Sequence, residues 1–277
     1  MKIINSLGLE KDLGYEPPYT IMWGVDEETT GTKVMTMART VIPPGGKNRL
    51  HYHACDATFY VAKGPIYVYC GGPRNPARHL VEAGHFCHAP AGEVHGQENP
   101  SKTEHAELIA SFGNCSHRDK SGTVFVDEAP GRAPSPALRE GEGAPRSGRA
   151  VKIINSLGLE KDLRYEPPYT IMWGVNEETA GTKVMTMQRT IIPPGGKNKL
   201  HSHACDATFY VAKGPIYVYC GGPENPVRHL VEAGHFCYVP AGEVHGQENP
   251  SPADYAELIA SYGNCPHQDK AGTTFVE

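Results

Sequence analysis

No stretch of the 277 residues approaches the ~20 consecutive apolar residues of a membrane-spanning helix. The opening MKIINSLGLEKDLG has no basic region followed by an apolar run, so an export signal is also missing and a cytoplasmic location is expected. Basic clusters are absent too. The 26 Lys and Arg are scattered among 31 Asp and Glu for a net charge of -5, which excludes an electrostatic case for nucleic acid or an anionic membrane surface. Eight cysteines show no CxxC spacing, and without an export signal a disulfide framework is not expected. Cys70 and Cys220 sit in apolar runs as small hydrophobes, and Cys55 and Cys205, two residues after a histidine, are read as structural thiols. Amphipathic helices are missing as well; GLEKDLGY could form one short turn.

What the chain does have is a repeat. Residues 1–127 align with 151–277 at a constant offset of 150, and 22 of the 127 pairs differ. Identity between copies this similar says little about any single residue, so the differences are more informative. Four consecutive changes, Lys102 to His105 against Pro252 to Tyr255, mark a tolerant surface loop. Between the copies, residues 128–150 (EAPGRAPSPALREGEGAPRSGRA) lack apolar periodicity and read as a flexible tether. Two domains, 1–127 and 151–277, follow.

Within each copy, short β-branched or alternating runs (VMTMARTVI, ATFYVA, PIYVYC, AELIASF) are punctuated by PPGG, KGP, GGP and PAGE turns. Short strands at close spacing with turn residues between them predict an all-β barrel or sandwich. His51 and His53 alternate on a strand and so share a face. His95 ends a second segment after a Pro-Ala-Gly turn that returns its strand to the first. Three imidazoles with open positions suit Zn, Fe, Mn, Ni or Cu. His201, His203 and His245 repeat the set. Strand alternation puts Gln97 and Gln247 on the face of His95 and His245, available to a ligand or a coordinating ring. Arg49 and Lys199 precede the paired histidines by two residues and could meet an acidic substrate or remain solvated loop cations. Phe59 and Val61, with Phe209 and Val211, share the inward parity and would form an apolar lining.

These segments resemble the cupin superfamily. Gly45, His51, His53 and Gly64 fit its first motif; Gly84, Pro90, Gly92, His95 and Asn99 fill the second, and the equivalents 150 residues on do the same. The resemblance implies two tandem double-stranded β-helix (jelly-roll) barrels, a bicupin, each with a three-histidine metal site. The family's glutamate ligand falls on Ala57 and Ala207, which cannot coordinate; Asp56 and Asp206 are one residue off and reach the site only if a β-bulge re-aims them. A carboxylate-free site resembles those of non-haem iron(II) dioxygenases, so an oxygen-dependent enzyme acting on a small organic molecule leads. The alternatives are a non-redox lyase, isomerase or cyclase on Zn, Ni or Mn, and a non-catalytic binding module. Single cupins commonly pair, so the tethered copies are expected to form an intramolecular pseudo-dimer, with further homo-oligomers open.

Overall fold

The structure is a computed structural model that describes residues 1–72, 75–126, 150–222 and 224–276. Apart from Ala150, the tether expected over 128–150 lies outside the described residues. The described chain is strands and turns, with helix confined to four 3₁₀ turns; the first, Ser6–Gly8, begins just before the segment where a short turn was expected. Among the described residues no helix is long and apolar enough to cross a membrane.

Each barrel closes a six-stranded sheet against a five-stranded one. In the first barrel the larger sheet runs Lys152–Asn155, His85–Ala89, Asp56–Lys63, Ala106–Gly113, Met35–Ile42, Thr20–Val25. The smaller sheet runs Val124–Phe125, His51–Tyr52, His95–Glu98, Ile66–Cys70, Ala77–Val81. The strand Asp56–Lys63 explains its own composition. Phe59 and Val61 point into the barrel core with Ile21, Trp23 and Leu108, while Tyr60 turns outward into a second apolar cluster. A strand buried on both faces needs a nearly continuous apolar run, which ATFYVA supplies.

That second cluster is the contact between the copies. It joins Val25, Met37, Tyr60, Phe86 and Ile109 to Val175, Met187, Tyr210, Phe236 and Ile259. The packing is close: a Cβ on Gly24 would lie 2.1 Å from the Phe236 ring, and one on Gly174 2.2 Å from Phe86. The two copies therefore share an apolar contact within the chain.

One feature goes beyond simple pairing. The edge strand of each larger sheet comes from the other copy. Lys2–Asn5 pairs with His235–Val239, and Lys152–Asn155 pairs with His85–Ala89. Barrels and repeats thus do not coincide at these strands, since Lys2–Asn5 completes the barrel whose other strands run from Thr170 to Phe275, and Lys152–Asn155 completes the first. The Met1 ammonium forms an ion pair with Glu243 of that second barrel.

Candidate metal centre

The strand ladder brings the histidines together. His51 and His95 are directly opposed across the pairing of their two strands, and His53 follows His51 by two residues, so all three rings enter from one face. The Pro-Ala-Gly turn is held to this strand by a hydrogen bond from Gly92 N–H to the His53 carbonyl, 2.8 Å. Gly92 takes φ +81°, a left-handed conformation natural to glycine. The ring centroids lie 4.8, 4.6 and 5.2 Å apart, and one donor atom from each ring lies within 4.8 Å of the others. His201, His203 and His245 repeat this at 4.8, 4.4 and 5.2 Å.

Each ring is oriented through Nδ1. His51 Nδ1 lies 2.8 Å from the Arg49 carbonyl, His95 Nδ1 2.9 Å from the Glu93 carbonyl, and His53 Nδ1 2.9 Å from Thr123 Oγ1. A carbonyl only accepts, so Nδ1 of His51 and His95 carries the proton and Nε2 presents its lone pair. Nε2 of His51 and of His201 is buried without a hydrogen-bond partner. Burial pushes the His51 and His95 imidazoles down to about 4, and His203 and His245 to about 2 and about 3, with neighbouring histidines adding to the shift in His95, His203 and His245. Neutral rings with inward lone pairs and an orphaned buried nitrogen fit a metal ion.

A carboxylate that the motifs do not contain joins the group. Glu16, on the Tyr-Glu-Pro-Pro-Tyr segment before the first long strand, is buried; its Oε1 lies 3.5 Å from His51 Nε2 and 3.9 Å from His53 Nε2. Glu166 stands 3.6 and 3.9 Å from His201 and His203. Two donors about 2.1 Å from one ion can be up to about 4.2 Å apart, so these separations suit a shared centre. The other oxygen, Glu16 Oε2, accepts from Asn48 Nδ2 at 2.9 Å, and the same NH₂ group donates to Gln97 Oε1 at 2.9 Å. Tyr19 donates its hydroxyl to the Gln97 carbonyl at 2.6 Å. Burial pushes the Glu16 carboxyl up, opposed by His95 and the Asn48 hydrogen bond.

The remaining expected residues divide clearly. Gln97 and Gln247 are buried and line the cavities beside the histidines. Arg49 and Lys199 have exposed side chains outside the cavities, with the Arg49 guanidinium 5.0 Å above the Phe125 ring. Their carbonyls anchor the His51 and His201 rings. Asp56 and Asp206 are not re-aimed to the centre. Asp56 Oδ1 accepts from Ala91 N–H at 3.0 Å and Oδ2 from Thr182 of the other copy at 3.0 Å. The register irregularity between the Asp56 strand and its neighbour falls at Glu107/Leu108, at the far end of the strand. The Cys55 and Cys205 thiols face backbone carbonyls, 3.8 Å from Ser121 O and 4.0 Å from Ala271 O. Sequence reasoning missed Glu16 and Glu166; the one signal was an acidic side chain fixed between aromatic and proline neighbours (YEPPY).

The cavity beside the first centre holds about 40 Å³ and the second about 30 Å³, room for a few solvent-sized groups. Trp23, Phe59, Leu108 and Phe112 give the first an apolar wall.

The cupin domain model matches the sequence twice, over residues 38–112 and 188–262. A comparison with curated protein sequences gave no match. Among solved structures, the chain is similar over its whole length to 78% of oxalate decarboxylase from Bacillus subtilis, at 14% identity and a TM-score of 0.71. Lactobacillus farciminis oxalate decarboxylase in a formate complex matches 99% of the chain over 88% of its own, at 13% identity and 0.74. The Momordica charantia 7S globulin matches 95% over 84%, at 14% and 0.69. Identities this low establish the shared fold alone, and that fold includes both enzymes and a globulin. With the family model fitting both copies and a three-histidine group in each barrel, the chain belongs to the cupin domain family as a two-barrel member, a bicupin.

Proposed function

We propose that each barrel binds one divalent metal ion on three histidines and one carboxylate, Glu16 in the first and Glu166 in the second, and that the chain is a metal-dependent enzyme converting a small organic acid by non-redox chemistry of the lyase or isomerase kind. The carrying observation is the Glu16 oxygen 3.5 and 3.9 Å from two histidine nitrogens, repeated by Glu166 at 3.6 and 3.9 Å. It supplies the anionic donor that alanine at 57 and 207 cannot.

This carboxylate removes the premise of the iron(II) dioxygenase expectation, which rested on a ligand set without charge. A bound ion would act as a Lewis acid that polarises a carbonyl or carboxyl oxygen of the substrate. Three neutral imidazoles and one carboxylate leave the site one positive charge, which favours a small anion. The cavity of about 40 Å³ limits that anion to a few heavy atoms. Asn48 holds both Glu16 and Gln97, so Gln97 is placed to orient the substrate while the carboxylate stays fixed. Trp23 and Phe112 exclude water from the same space. The likeness to oxalate decarboxylases supports a small carboxylic acid as substrate class. The second reading, an iron(II) dioxygenase, is favoured by that apolar wall, which would also admit dioxygen.

The test is turnover of a panel of small carboxylic acids, oxalate included, by protein loaded in turn with Mn, Zn, Ni or Fe, with and without oxygen. Anaerobic turnover that falls at least about 100-fold in Glu16→Gln, Glu166→Gln protein is expected. Turnover confined to the iron form and dependent on oxygen uptake would transfer the assignment to the dioxygenase.

A further inference from the structure

The two barrels are close copies, yet their cavities are chemically different. Of the 22 positions at which the repeats differ, two line the cavities: Ala38 is replaced by Gln188 and Phe112 by Tyr262. Both changes run from apolar to polar, and both fall on adjacent strands of the larger sheet, where Gln188 pairs with Ala260 two residues from Tyr262. Gln188 is 2% exposed, and its Oε1 is buried without a hydrogen-bond partner. The Tyr262 hydroxyl stands 3.4 Å from Glu166 Oε1 and 3.4 Å from His203 Nε2, so it lies at the centre itself. In the first barrel the same positions offer only a methyl group and a phenyl ring. His53 meets the Phe112 ring at a centroid distance of 4.8 Å, with no polar atom to place there.

A buried acceptor without a hydrogen-bond partner, whose amide also meets the Tyr262 hydroxyl at the reaction centre, offers a polar pair to a ligand that brings a donor of its own. We infer that the barrels are not equivalent: the second selects a small acid bearing a hydroxyl or other hydrogen-bond donor, read by Gln188 and Tyr262, and the first selects one with an apolar substituent against Ala38 and Phe112. This deepens the proposed function and rests on its assignment of the cavities as ligand sites. The remaining shared lining, Thr40 and Leu108 against Thr190 and Leu258 for example, is the same on both sides and cannot produce the difference.

Acetate and glycolate, which differ by one hydroxyl, are the probes. Each is titrated by calorimetry into full-length, metal-loaded protein in which one centre is removed, by His201→Ala, His203→Ala or by His51→Ala, His53→Ala. Any advantage that glycolate gains from the ion itself is common to both barrels and cancels in the comparison. The glycolate-over-acetate preference is expected to be about tenfold larger in the second barrel. Gln188→Ala, Tyr262→Phe should lower it to the value of the first barrel, and Ala38→Gln, Phe112→Tyr should raise the first towards the second. Should a histidine variant fold poorly, the same cavity substitutions in otherwise unaltered protein shift one of its two binding events. Equal preferences in the two barrels, or preferences untouched by the cavity substitutions, would overturn the inference. Metal content, measured in parallel, reports on the ion assignment separately, because two barrels that bind metal but share one preference sink only the non-equivalence.

Discussion

At the scale of single residues, the histidines were legible and the carboxylate was not. His51, His53 and His95 are set by strand alternation and one tight turn, which are local properties that spacing records. Glu16 reaches the same point from 35 positions before His51, on a segment whose placement depends on Asn48 and on closure of the barrel. No periodicity announces that approach. Arg49 is the opposite case: its charge drew attention, and the contact seen at the centre is its backbone carbonyl on His51. The depressed histidines also make a prediction. His51 and His95 titrate at about 4 in the folded chain, below the ordinary value near 6.5 expected when unfolded. Below pH 6.5 the unfolded chain therefore binds more protons, and metal-free protein should lose stability between about 6.5 and 4, on the order of 3 kcal/mol for each of these two histidines once the fall is complete. Glu16 works against this, because its raised carboxyl takes up a proton earlier in the folded state, but the first barrel sets three lowered imidazoles, His51, His53 and His95, against it. Urea midpoints of chelator-stripped protein at pH 7.5 and pH 5 should differ accordingly; equal midpoints would mean that the rings are not buried neutral.

At the scale of elements, strand composition and turns gave the all-β barrels, while the exchange of edge strands left no trace in the sequence. The reason is specific: Lys2–Asn5 and Lys152–Asn155 have the same sequence, KIIN, so pairing within a copy or across copies satisfies the same local pattern. Exchange makes the second barrel dependent on the first residues of the chain. Deleting residues 1–5 should expose the His235–Val239 edge and leave His85–Ala89 paired with Lys152–Asn155. Amide hydrogen exchange should then lose protection at 235–239 and keep it at 85–89. The reverse pattern would show that each strand serves its own copy.

At the scale of the whole molecule, duplication gives two barrels that share a core and complete one another's sheets, while each keeps its own centre. His51, His53, His95 and Glu16 all come from the first copy, and His201, His203, His245 and Glu166 all from the second. The structure thus couples the folding of the barrels without merging their sites. The most direct test of this account is metal content together with affinity, measured on full-length protein expressed with added Mn, Zn, Ni or Fe. About two ions per chain are expected. His51→Ala, His53→Ala should leave about one, and Glu16→Gln, Glu166→Gln should weaken binding by about 10–100-fold. Protein with no bound metal after supplementation would contradict the account, as would glutamine variants that bind as tightly as the original chain.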